Sequence, residues 1–106
     1  MKQELKTTDD AFLTSCTRPL FKGDKDAYAV RIKTESDSER VQVTAIRSDG
    51  VTILGTGTER DENGYSEYVL SRDMHSIPGR LILRVSVISG GSALTLRQIE
   101  CDVLEG

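Results

Sequence analysis

Arg80-Leu81-Ile82-Leu83-Arg84-Val85-Ser86-Val87-Ile88-Ser89, then Gly90-Gly91, then Ser92-Ala93-Leu94-Thr95-Leu96, is the stretch on which the fold turns. Leu81, Leu83, Val85 and Val87 lie two apart, so in an extended chain they share one face while Arg84 and Ser86 point to the other. Ile82 and Ile88 make the second face partly apolar as well, which fits a central strand covered in part on both sides. Gly90-Gly91 supplies the positive φ that a two-residue primed turn needs, so the chain is expected to fold back here as a hairpin. With those glycines as the whole loop, Val87 stands opposite Leu94 and Val85 opposite Leu96, and that apolar face is expected to be core.

The same period of two extends upstream and downstream. Tyr28, Val30 and Ile32 alternate with Ala29, Arg31 and Lys33, and Val41, Val43 and Ala45 alternate with Gln42 and Thr44. Asp49-Gly50, Asn63-Gly64 and Pro78-Gly79 separate such runs, each supplying the positive or fixed φ of a tight turn. Strands are expected at roughly 11 to 17, 28 to 34, 41 to 47, 51 to 58, 64 to 70, 80 to 89 and 93 to 103. Past the hairpin the apolar phase changes from Leu94 and Leu96 to Ile99, Cys101 and Val103, which calls for a bulge or sheet crossing near Arg97-Gln98. Ser71 to Ile77 does not alternate and runs into Pro78, so it holds one short helical turn at most. The expected fold class is all-β, an antiparallel two-sheet β-sandwich of about seven strands, Ig-like or jelly-roll-like. Residues 1–10 are read as an N-terminal arm with freedom to flex, and residues 11–106 as a single domain.

A length of 106 residues suits one domain with one core. Hydrophobic residues at 37% and charged residues at 29% give enough apolar material to fold, and too much for a disordered segment. A net charge of −3 leaves no basic stripe, which argues against nucleic acid as a partner. No run approaches the roughly 20 consecutive apolar residues of a membrane helix, and Met1 to Asp10 lacks the apolar centre of a signal peptide. A soluble chain with no export address and no membrane partner is the expectation.

The search for chemistry is mostly negative. The one histidine, His75, stands two residues from Asp73, a pairing that could orient an imidazole as a general base, yet no nucleophile motif accompanies it. Placed on a connecting turn it is expected to be exposed, so His75→Ala should change stability by no more than roughly 0.5 kcal/mol. One histidine and no CxxC argue against a transition-metal site. Asp61-Glu62-Asn63 ahead of Gly64, and Asp24 and Asp26 around Lys25, bring oxygens together, but neither has calcium-loop spacing and both read as turns. The acidic patches at Asp9-Asp10, Glu35 to Glu39 and Glu59 to Glu62 read as solvated loops. Gly55, Gly57, Gly90 and Gly91 lie in or between strands and open no helix, so a phosphate-cradling loop is not supported. With 5% aromatic residues and no tryptophan, a stacking platform for sugars is poorly supplied, and Tyr28, Tyr65 and Tyr68 read as core or rim packing. No catalytic, cofactor-binding or metal residue is named, no cofactor is expected, and binding residues are left unassigned.

Cys16 and Cys101 fall on the first and last expected strands, 85 positions apart (101 minus 16). Terminal strands of a sandwich often run side by side, which could make the two cysteines spatial neighbours, but a chain folding in a reducing cytosol keeps its thiols, so both are expected as buried or partly buried free cysteines packing as small hydrophobes, with a disulfide as the lesser alternative.

Four stretches carry a likeness to a known family: Phe21-Lys22-Gly23-Asp24-Lys25-Asp26-Ala27-Tyr28, Arg47-Ser48-Asp49-Gly50-Val51, Met74-His75-Ser76-Ile77-Pro78-Gly79-Arg80-Leu81, and Ala93-Leu94-Thr95-Leu96-Arg97-Gln98-Ile99-Glu100-Cys101. From about residue 16 onward the chain resembles the N-terminal domain of baseplate upper proteins of tailed bacteriophages, through turn and strand patterns without catalytic content. The resemblance implies a structural β-sandwich that docks on the tail or baseplate core, with a helical stalk downstream leading to receptor-binding subunits. This chain stops at Gly106 without heptads for a stalk, which fits an excised domain or a short relative. The expected function is a non-enzymatic assembly module in the virion, put together in the host bacterial cytoplasm, partnered by other tail or baseplate proteins and oligomeric in the particle. The alternative is a carbohydrate-binding module of β-sandwich type.

Overall fold

The computed structural model describes residues 3–4, 13–15, 20–22 and 28–105, and these are nearly all β. The strands are β1 (Gln3–Glu4), β2 (Leu13–Ser15), β3 (Leu20–Phe21), β4 (Tyr28–Lys33), β5 (Arg40–Ile46), β6 (Thr52–Thr56), β7 (Tyr65–Val69), β8 (Gly79–Ser89) and β9 (Ser92–Leu104). Among the described residues a single 3-10 turn, Arg72–His75, interrupts them just ahead of Pro78. The six strands expected from residue 28 onward are found as β4 to β9, shifted by a residue or two at their ends. The strand expected at 11 to 17 appears over Leu13–Ser15, its remainder lying outside the described residues. Gln3–Glu4, within the expected flexible arm, are a strand, and the rest of that arm lies outside the described residues.

The expectation of an antiparallel sandwich is corrected. One curled mixed sheet of six strands has the order β2-β9-β8-β5-β6, with β3 pairing further along β9; a small second sheet has the order β1-β4-β7. The hairpin-linked neighbours β5–β6 and β8–β9 are antiparallel, as are β5–β8 and β4–β7. β1 runs parallel to β4, and β2 and β3 parallel to β9. The physical reason is connectivity: a two-residue turn imposes antiparallel pairing on what it joins, whereas strands early in the chain reach β4 and β9 through longer connections that permit parallel pairing.

The β8–β9 hairpin forms with Gly90 and Gly91 at positive φ, 54° and 89°, and Ser89 paired to Ser92. Val87 faces Leu94 as expected, but Val85 pairs with Arg97 and not with Leu96, because the register shifts between Val85 and Ser86. The bulge therefore falls at Leu96, just ahead of the expected Arg97-Gln98. It puts Arg97, Ile99, Cys101 and Val103 into the buried phase. The hairpin face is core only in part: Val85 is buried and Val87 and Leu96 pack against the core, while Leu94 is 63% exposed, beyond the point where the core ends.

One buried cluster joins the two sheets, built from Tyr28, Val30 and Ile32 of β4 and the inward residues of β5, β8 and β9. Its seam runs along residues 55–58, where the chain leaves β6 and meets β7. Gly57 donates its N–H to the Val41 carbonyl at 2.7 Å, and Thr58 donates to the Glu67 carbonyl at 2.8 Å. The fully buried Ser66 hydroxyl donates to the Thr58 carbonyl at 2.6 Å and accepts the Val41 N–H at 3.0 Å, so its donor and acceptor capacities are both used across the seam.

Cys101 is buried and disulfide-bonded, which corrects the expectation of a free thiol. Cys16 lies outside the described residues. The cause is visible in the backbone: β2 lies directly along β9, with Ser15 opposite Glu100, so the early chain reaches the neighbourhood of Cys101. Thiol titration of the denatured, non-reduced protein should find no reactive thiol, and after reduction it should find both cysteines of the sequence. Two reactive thiols before reduction would restore the original expectation.

Candidate functional site

Because β5, β8 and β9 pair in register, Arg40, Ile88 and Ala93 stand in one row across the sheet at the hairpin end. With Ser38, Gln42 and residues 89–92 they line an open groove of about 450 Å³. Ser38 is tied to Ser89 by a hydroxyl–hydroxyl bond of 3.1 Å, and Arg40 donates to Glu59 at 3.0 Å. The lining offers hydroxyls, an amide, a guanidinium and two exposed glycines. Such a surface can hydrogen-bond a partner's loop or strand. It contains no aromatic ring on which a sugar could stack.

At the opposite end of β5, Arg47 forms a clamp. Its Nε and Nη2 donate to Asp49 Oδ1 and Oδ2 at 3.0 and 2.6 Å, a two-pronged pairing. Its Nη1 donates to the Asp73 carbonyl at 3.2 Å and to the Ser76 hydroxyl at 3.1 Å, fastening the β5–β6 turn to the 3-10 turn. Ser48 Oγ adds a bond to the Pro78 carbonyl at 2.9 Å. An Arg two residues before an Asp-Gly turn was a readable local signal for the first half of this clamp; its reach to residues 73–76 was not.

His75 is fully buried, which corrects its expected exposure. Its ring meets Tyr28 edge-on, centroids 5.2 Å apart at 89°, while Asp73 is exposed. The physical reason is the 3-10 turn, which rolls Met74 and His75 together onto the core. The imidazole does not face solvent. Tyr28 is core and Tyr65 and Tyr68 are half-buried, as expected. Asp61 builds ordinary turn chemistry, its Oδ1 accepting the N–H groups of Asn63 and Tyr65 at 2.9 Å each. Arg31 adds an ion pair to Asp61 at 3.7 Å and lies 4.1 Å over the Tyr65 ring. Asp24 and Asp26 lie outside the described residues. Among the described residues no three His, Cys, Asp or Glu side chains converge as a metal site, and no helix is long and apolar enough to cross a membrane.

Two turn carboxylates are held below the usual aspartate range: Asp49 chiefly by the Arg47 hydrogen bond, and Asp61 chiefly by the Tyr65 N–H. A depressed folded-state value contributes stability that is fully present above the unfolded aspartate range, about pH 4, and is lost as the pH falls through the folded values. The urea midpoint should therefore be flat down to about pH 5 and drop below about pH 4. An Asp49→Asn, Asp61→Asn double variant should drop less steeply; an identical acid limb would show that these turns are not involved.

The fold and surface define a small mixed-sheet β domain that presents hydrogen-bonding turns and edges around one core. No protein-family model and no curated protein matches the sequence. Among solved structures the chain is similar to the N-terminal domain of phage TP901-1 ORF48, at 17% identity and a TM-score of 0.55, with 89% of this chain and 95% of that one covered. The likeness is one of fold.

Proposed function

We propose that this domain is a non-enzymatic structural module of a bacteriophage tail or baseplate, docking on neighbouring virion subunits through the faces, edges and turns of its sheets. The observation that carries this reading is the extent of the fold match, which spans almost the whole of a phage protein's N-terminal domain. The net charge of −3 favours protein partners over nucleic acid. In this reading the domain belongs to the virion and is assembled in the host bacterial cytoplasm.

Co-expression with the tail proteins encoded beside it is the test. A stable complex of fixed stoichiometry that survives size-exclusion chromatography supports the proposal. Failure to associate with any of them, together with a glycan-array signal abolished by Arg40→Ala in the groove, would replace it with sugar binding.

A further inference from the structure

β6 is the last of the described strands on the β5 side of the large sheet. Among the described strands it pairs with β5 alone. Arg47 donates its N–H to the Val51 carbonyl, and Gly57 donates to the Val41 carbonyl, so at both ends of β6 the odd-numbered residues bond inward to β5. By the alternation of an antiparallel ladder, Thr52, Leu54 and Thr56 then aim their N–H and C=O groups outward, away from the sheet. All three are exposed, Leu54 at 60%. Residues 51–56, Val-Thr-Ile-Leu-Gly-Thr, include no charged residue and no proline, the register with β5 runs without a bulge, and the unpaired stretch ends ahead of Thr58, whose N–H is taken by the Glu67 carbonyl of β7. Charges, prolines and bulges are the devices by which natural edge strands avoid pairing.

The outward row is also self-complementary. If a second copy of β6 lies antiparallel about a two-fold axis at Leu54, Thr52 meets Thr56 of the other copy, Leu54 meets Leu54, and Thr56 meets Thr52. Each pair then exchanges both of its outward backbone bonds, and no like charges meet within the strand. An isologous contact of this kind closes on itself and makes a dimer, not a fibre. We propose that the chain self-associates through β6, joining two large sheets into one continuous sheet across the two-fold axis. The inference does not depend on the phage reading and would stand if that reading failed.

Sedimentation across the micromolar to millimolar range, combined with backbone amide exchange, tests it. A concentration-dependent dimer is expected, in which the Thr52, Leu54 and Thr56 amides gain protection as the dimer forms. Leu54→Lys places two like charges face to face and should raise the dimer dissociation constant at least about tenfold. The exposure of Leu54 means that thermal unfolding of this variant, followed at concentrations where both proteins are monomeric, should stay unchanged. A monomer throughout the range overturns the proposal, as does a dimer in which those amides exchange freely. Protection of the same amides only when another protein is added would also overturn it, and would assign the edge to a foreign strand.

Discussion

His75→Ala should lower the unfolding free energy by roughly 2–4 kcal/mol, the range of large-to-small changes in a packed core. The ring is fully buried between the 3-10 turn and Tyr28, and Tyr28 in turn accepts the Phe21 N–H through its hydroxyl at 2.8 Å. Removing the imidazole leaves a void beside Tyr28 and loosens the ring that anchors β3. Total stability of a domain this size is about 5–15 kcal/mol, so the loss is a large fraction of it. Urea denaturation measures it, and His75→Phe provides the comparison. If packing is the main contribution, phenylalanine should recover more than half of the loss. A cost for the alanine variant under about 0.5 kcal/mol, the value of a surface position, would show that the ring is not buried as described.

Gly57→Ala should be comparably damaging, with a cost of about 2–3 kcal/mol from forced overpacking. A Cβ at Gly57 would collide with the Val41 side chain and stand 2.7 Å from the Glu67 carbonyl oxygen, which is backbone and part of the seam between the sheets. Gly55→Ala also meets an obstacle, the Tyr68 ring, but a half-buried side chain can swing aside, so its cost should be smaller. Equal losses at the two positions, or a milder one at Gly57, would mean that the seam is looser than its hydrogen bonds indicate. Chemical denaturation of the two variants side by side decides this.

Both predictions rest on contacts that no local pattern announces. The alternation in β4, β5 and β8 and the dipeptides Asp49-Gly50, Asn63-Gly64, Pro78-Gly79 and Gly90-Gly91 were legible, because side-chain period and turn geometry are properties of a few adjacent residues. The phase change along β9 announced a bulge for the same reason, to within a residue or two. The burial of His75 has no local signal because it depends on what lies across from a turn, and Tyr28 is 47 positions away (75 minus 28). Gly55 and Gly57 were recognised as glycines in extended chain, but Tyr68 and Glu67, which require them, belong to the other sheet. The groove at Ser38, Arg40 and the hairpin tip had no signal in sequence, since it arises from strand order.

The sequence by itself determined the all-β class, the positions of the strands from residue 28 onward and the tight turns between them, because each follows from periodicity and backbone preference over a short window. Apart from the β8–β9 hairpin, only the tertiary structure decided which strands are neighbours. It set β2 and β3 parallel to β9, engaged Cys101 in a disulfide, rolled His75 into the core and left β6 with β5 as its one partner among the described strands. The reason is that pairing of distant segments is chosen by how one shared core can be closed, a choice made by the whole chain at once and recorded in no single stretch of it.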